Sequence, residues 1–207
     1  VITDKYNLYA WGRNGNSQLG NGSTSNLNTP ALVAENVLKV AGGESHTIIL
    51  KRDASVWTSG NNSYGQLGNN STSTKRRFDR VAENAVDIEA GKYQSYIIDG
   101  AGSLKGCGNN AQGALGIGTS VSYYRVFTDI MTNVKSISSG YAHSVAVDDS
   151  GNMYVWGSNS YGQLGLPENI TYQDAPYKIT GVSNPSIAKA GGYTSIYVKN
   201  GQAYQTG

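Results

Sequence analysis

The apolar residues of this chain come in short runs that never lengthen into a helical stripe. TIIL (47–50) is followed by VW (56–57), YIID (96–99) by SL (103–104), SVAVD (144–148) by MYVW (153–156), and SIYVK (195–199) by AYQ (203–205). Between the members of each pair stand Asp53-Ala54, Asp99-Gly100, Asp149-Ser150-Gly151 and Asn200-Gly201. Such residues supply the positive φ angles of tight hairpin turns. Further short apolar segments, such as VLKVA (37–41) and AVDIEA (85–90), precede the pairs. The pattern predicts an all-β chain of many short strands, with no substantial helix.

The strands recur in phase. The phrases NGNSQLG, NNSYGQLG, NNAQGALG and SNSYGQLG end at Gly20, Gly68, Gly116 and Gly165, at spacings of 48, 48 and 49 residues. Each follows a strand-like segment closing on Gly12, Gly60, Gly108 or Gly157, and a fifth such segment closes on Gly207. A second phrase keeps step: AGGESHTIIL (41–50), AGKYQSYIID (90–99), SGYAHSVAVD (139–148) and AGGYTSIYVK (190–199). The chain divides into a first strand, 1–12, and four units, 13–60, 61–108, 109–157 and 158–207. Four strands in a period of just under fifty residues predict the antiparallel blade of a β-propeller. The repeated glycines suit crowded backbones near the axis. Leu19, Leu67, Leu115 and Leu164 are expected to fill the space between neighbouring blades, because one unit cannot bury its apolar face alone.

These motifs carry a family resemblance. YAWGRNGNSQLG, TSGNNSYGQLG, GCGNNAQGALG and VWGSNSYGQLG, with GGESHTIIL and SGYAHSVAV, resemble the regulator of chromosome condensation repeat across essentially the whole chain. The resemblance implies a propeller, usually of seven blades, for which this period requires roughly 340 residues. The expectation is therefore part of a longer ring. The resemblance also implies protein partners, and nucleotide exchange on a small GTPase as one activity within the family. The tryptophan before the closing glycine is replaced by Ser59, Cys107 and Thr206.

Composition narrows the chemistry. The net charge is +2 and only 14% of residues are charged, against about 25% in ordinary soluble domains. A nucleic-acid partner is not expected on that balance. No apolar run approaches the roughly 18 residues that cross a bilayer as a helix. The single cysteine, Cys107, precludes an internal disulfide or a multi-cysteine metal site; it stands where Trp11 and Trp156 stand and reads as a buried apolar residue. His46 and His143 share one repeat position with Gln94 and Thr194, which predicts a hydrogen bond to backbone inside the blade rather than metal ligation. No nucleophile elbow, zinc-binding helix or phosphate loop occurs. Neither metal nor cofactor nor enzymatic activity is expected. The Asn, Ser and Tyr content leans towards a bacterial surface or secreted protein.

Function is sought where equivalent positions disagree. After each Leu-Gly, a polar segment read as a loop carries Leu27, Lys75, Tyr123 and Tyr172 at one position, and Thr29, Arg77, Arg125 and Asp174 two residues on. The candidate partner-binding residues are Lys75, Arg76, Arg77, Phe78 and Arg80 in one unit and Tyr123, Tyr124, Arg125 and Phe127 in the next. Tyr172 and Tyr177 continue the set. Arg and Tyr anchor many protein interfaces, so these segments are expected to form a basic-aromatic ridge on one rim. Three functions follow: a non-catalytic scaffold presenting its loops to a protein partner, a guanine nucleotide exchange factor for a small GTPase, or a structural arm of a larger surface protein.

Overall fold

The computed structural model describes residues 1–207. Seventeen strands form five antiparallel sheets, and the one helical element is a 3-10 turn at Ala111–Gly113. The first blade holds β1 (Leu8–Gly12) and β2 (Leu27–Ala34). The second holds β3 (Val37–Gly42), β4 (His46–Lys51), β5 (Val56–Gly60) and β6 (Lys75–Ala82). The third runs from β7 (Ala85–Ala90) through β8 (Gln94–Asp99) and β9 (Leu104–Asn109) to β10 (Tyr123–Met131). The fourth comprises β11 (Val134–Ser139), β12 (His143–Asp148), β13 (Asn152–Ser158) and β14 (Tyr172–Ser183). The fifth holds β15 (Ile187–Ala190), β16 (Ser195–Lys199) and β17 (Gln202–Thr206).

Two sequence expectations are corrected. The units read from the repeat are one strand out of phase with the sheets: each unit gives the outer strand to one blade and three inner strands to the next. The chain therefore contains three complete blades flanked by a two-stranded and a three-stranded sheet, not four complete blades. The segments after Leu-Gly are also not loops throughout. From Leu27, Lys75, Tyr123 and Tyr172 onward they are the outer strands, pairing with Gly12, Gly60, Asn109 and Ser158 respectively. Bulges interrupt each of these pairings, and an outer strand with one solvated face needs few apolar residues.

The core lies between blades, as the leucine pattern requires. Tyr96, Ile98 and Leu104 of the third blade pack with Val134, Ile137, Ala146 and Trp156 of the fourth, and Leu115 completes the cluster. Ile48, Leu50 and Val56 meet Ala85, Ile88 and Ile97 across the previous boundary. Cys107 is fully buried, its thiol pushed up in pKa by that burial.

The polar loop of each unit is organised by one buried asparagine. The Nδ2 of Asn62 donates to Asn69 Oδ1, Ser71 O and Ser73 O, while its Oδ1 accepts from Leu67 N at 2.9 Å. Asn14, Asn110 and Asn159 make corresponding bonds to Leu19, Leu115 and Leu164 and to loop carbonyls. The turn so formed ends on a glycine at positive φ: Gly68 has φ +71°, and a Cβ there would lie 2.5 Å from the ring of Phe127 in the next blade.

Blades are latched to one another by hydroxyl groups. Thr47, Ser95 and Ser195 each donate at 2.7 Å to a carbonyl of the preceding loop, that of Gln18, Gln66 or Gln163. In the remaining copy Tyr96 donates to Ala114 O at 2.8 Å and bonds Ser144 Oγ. The histidines join this system. His46 Nε2 lies 3.0 Å from Ser95 Oγ, and His143 Nε2 3.1 Å from Ser195 Oγ. Their side-chain bonds therefore reach a hydroxyl of the next blade, rather than backbone within their own as the sequence suggested.

Two predictions follow from these contacts. Asn62→Ala strips partners from a buried amide N–H and three carbonyl-side acceptors, and should destabilise the chain by roughly 2–4 kcal/mol in denaturant titrations. Burial lowers the pKa of His46 and His143 to about 4, from about 6.5 in an unfolded chain. The unfolded chain thus binds more protons between those values. Stability is complete above pH 6.5 and falls as pH drops towards 4, by roughly 3 kcal/mol per histidine. Gln94 already occupies the equivalent position in the third blade, so His46→Gln with His143→Gln should flatten unfolding free energy across that window.

Candidate protein-interaction surface

Antiparallel connectivity places two kinds of connection on the same end of every blade: the tight turn between the two inner strands and the loop before the outer strand. The inner turns touch across blades through backbone. Glu44 N donates to Lys92 O at 3.1 Å, Lys92 N to Gly140 O at 3.2 Å, and Tyr141 N to Gly192 O at 3.1 Å. Beside this ladder is an open cavity of about 400 Å³ lined by Gly43, Gly91, Gly140 and Gly191 with Glu44, Lys92 and Tyr141. At position 140 of the ladder glycine is required: a Cβ there would lie 2.1 Å from Gly191 O.

Tyrosines crown that rim. Tyr64 and Tyr93 meet at a ring separation of 5.2 Å. Tyr193 meets Tyr141 at 5.1 Å and Tyr161 at 5.0 Å, in both cases edge to face. Lys92 joins the two groups, its ammonium 5.1 Å from the Tyr93 ring and 5.0 Å from the Tyr141 ring. It also pairs with Glu44 at 3.4 Å. Bonding to Glu44 raises the pKa of both Lys92 and Tyr93. The result is a continuous arc of aromatic surface. Tyr64 is 38% exposed, Tyr141 45%, Tyr161 66% and Tyr193 50%. Rings held by neighbouring rings present large area at small entropic cost, the property that favours tyrosine at interfaces.

Sequence reasoning missed this arc. Tyr64 and Tyr161 sit inside the repeated SYGQLG phrase, and recurrence marked the phrase as architecture. The available signal was disagreement at that same position: Asn16 and Gln112 replace the tyrosine in the other two units. Asn16 reaches Ser45 with a hydrogen bond of 3.3 Å, so the contact between loop and turn persists while its chemistry changes.

The residues expected to form a ridge lie on the outer strands and divide into two groups. Phe78 and Phe127 face inward, where their rings cover Gly20 and Gly68. Tyr124 packs on the core between the third and fourth blades and bonds Thr119 Oγ1 at 2.6 Å. These three build the boundaries between blades. Lys75 pairs with Asp79 at 3.0 Å and Arg80 with Glu83 at 2.9 Å, exposed pairs that contribute little. Arg77 lies along Gly22. Tyr123, Tyr172 and Tyr177 are exposed, as are Arg76 and Arg125. The backbone carbonyls of Arg76 and Arg125 accept from Gly22 N and Asn70 N of the preceding loop at 2.8 Å. The outer strands are thereby held against the loops that carry Asn16 and Tyr64.

No helix is long and apolar enough to cross a membrane. Cys107 is buried and the two histidines are spent in the latches, so the residues most suited to chemistry are withdrawn from the surface.

Comparison with known proteins agrees with this geometry. The RCC1-like domain family matches residues 1–207. A zebrafish (Danio rerio) RCC2 homologue is 37% identical over 62 residues, which are 28% of this chain and 12% of the relative. Human WBSCR16 is similar in structure, with a TM-score of 0.85 and 25% identity over 95% of this chain and 55% of the other. Prp20p of Saccharomyces cerevisiae, described for its binding to Gsp1p and histones, gives a TM-score of 0.84 at 20% identity over 96% of this chain and 53% of its own. The chain thus spans about half the length of these solved propellers. With four repeats in phase, antiparallel blades sharing their cores and a family match along its whole length, the chain belongs to the RCC1-like domain family.

Proposed function

We propose that the chain is a non-catalytic propeller segment that binds a protein partner on the face carrying the inner turns. The tyrosine arc beside the cavity makes the central contact, and the exposed outer-strand residues Arg76, Arg77, Tyr123, Arg125, Tyr172 and Tyr177 extend it. The observation that carries this reading is the continuity of Tyr64, Tyr93, Lys92, Tyr141, Tyr193 and Tyr161 through ring and cation contacts. Loosely scattered tyrosines would be ordinary surface. A locked aromatic cluster beside polar groups has the character of an interface centre. Binding of Gsp1p and histones by Prp20p supports a protein as the partner. Nucleotide exchange on a small GTPase is the second reading. Family membership favours it, but a shared fold alone does not confer the activity.

The test is affinity capture with three baits: the native chain, a Tyr64→Ser/Tyr161→Ser/Tyr193→Ser variant and an Arg76→Ser/Arg77→Ser/Arg125→Ser variant. A specific partner should lose at least tenfold in apparent affinity with the tyrosine variant and about threefold with the arginine variant. Partners captured equally by all three baits would rule the surface out. Release of labelled nucleotide from a panel of small GTPases checks the second reading, which requires acceleration by the native chain.

A further inference from the structure

The tyrosine face carries two copies of one arrangement, and the internal repeat allows them to be compared position by position. In the first copy, Tyr64 pairs with Tyr93, and Lys92 lies over the Tyr93 ring while bonding Glu44. In the second copy the equivalent residues are Tyr161, Tyr193, Gly192 and Tyr141, in that order. The loop tyrosine and the turn tyrosine are kept. The lysine has become glycine and the carboxylate a third aromatic ring.

Backbone geometry does not require the glycine at 192. Its φ lies outside the left-handed region, and a Cβ would stand 3.6 Å from the Tyr141 ring, an ordinary contact. This differs from Gly140 and Gly91, where a Cβ would strike neighbouring atoms at 2.1 and 2.4 Å. A lysine at 192 is compatible with the fold and would reproduce the first copy. The chain's own cations lie over Tyr6, Trp57, Tyr93 and Tyr141. Tyr161 and Tyr193 receive none from the residues of this chain.

We infer that the Tyr141–Tyr161–Tyr193 cluster takes from a protein partner the cation that Lys92 supplies in the first copy: an arginine or lysine side chain of the partner lies over Tyr193, where Gly192 places no side chain of its own. An aromatic face attracts a cation within about 6 Å of its centre. Here three rings converge, and Tyr141 stands where the first copy has the Glu44 carboxylate, so both copies surround that place with groups that favour positive charge. Arginine suits the site particularly, since its planar head stacks on rings and is weakly hydrated. The inference rests on the tyrosine arc being the partner-binding face.

The test pans a random dodecapeptide display library in parallel on the native chain and on Gly192→Lys, with Gly192→Ala as the control for an added Cβ. Thermal midpoints confirm that both variants fold. Peptides selected by the native chain should share one arginine or lysine. In titrations of a synthetic copy, replacing that residue by glutamine should weaken binding at least fivefold. Gly192→Lys should weaken it by a similar factor, because the built-in ammonium occupies the rings, while Gly192→Ala should bind within twofold of native. The inference is overturned if native and Gly192→Lys baits select the same peptides, if neither selects any, or if the glutamine peptide binds equally well. Should that glutamine peptide still lose affinity for the Tyr64→Ser/Tyr161→Ser/Tyr193→Ser variant, the surface stands and only its preference for a cation fails. Indifference to the tyrosine variant would remove both.

Discussion

The constraint on which this structure depends is the satisfaction of one buried side-chain amide per unit. A loop of a dozen residues without regular strand pairing would leave backbone groups unpaired where it passes under the next blade. Asn14, Asn62, Asn110 and Asn159 remove that difficulty by donating to loop carbonyls and accepting the amide N–H of the leucine five residues on. Once that turn is closed, its other residues are aimed. The leucine enters the core; in three of the four units the following glycine opens space for a ring of the next blade, and in three the carbonyl before the leucine accepts from a hydroxyl of the next blade. Asparagine suits the task because its amide offers two donors and an acceptor in a short rigid side chain. An aspartate lacks the donors and would bury a charge.

The sequence displayed the fold well because the fold is itself periodic. Strand pairs, hairpin turns and the leucine positions were all legible from alternation and from Asp, Asn and Gly punctuation. The phase of the blades was not, since a repeat boundary in sequence is arbitrary, and strand pairing alone decides which sheet receives the outer strand. The outer strands were read as loops for a physical reason. KRRFDR and YYRVF pair along one edge and face solvent, so the apolar alternation that signals a half-buried strand is weak there. Their single inward aromatic residues, Phe78 and Phe127, looked like interface anchors. Their true partners, Gly20 and Gly68, lie far away in sequence and are invisible to a local reading.

The tyrosine arc shows the opposite failure. Architecture and surface chemistry alternate residue by residue within the repeated phrase, so they separate at single positions and not between phrases. Within SYGQLG, the glutamine carbonyl, leucine and glycine carry the architecture, while the tyrosine points outward from the same turn. Asn16, Tyr64, Gln112 and Tyr161 share one repeat position and differ in chemistry; Asn16, Tyr64 and Tyr161 also share a backbone N–H bond to the glutamine two residues on. That is the pattern expected of a position free of structural duty.

Interlocking units also explain how so polar a surface can be held still. Each unit supplies the outer strand of one blade and the inner strands of the next, so sheet hydrogen bonds join each unit to its neighbours while the hydroxyl latches join each blade to the next. The turns bearing Lys92, Tyr141 and Tyr193 are joined directly by the backbone ladder from Glu44 to Gly192. The loop carrying Tyr64 is tied to the next outer strand through Arg125, and the loops carrying Asn16 and Gln112 are tied likewise through Arg76 and Asp174. A partner on the proposed face would meet side chains whose backbones are joined to one another, so little ordering would remain to oppose association. The same rigidity lets one position be altered without disturbing its neighbours. Replacement of Lys92 by glycine in the equivalent turn changes the charge offered to a partner while the ladder, the latch and the asparagine hub persist, and the repeat can diversify its binding chemistry without a new fold.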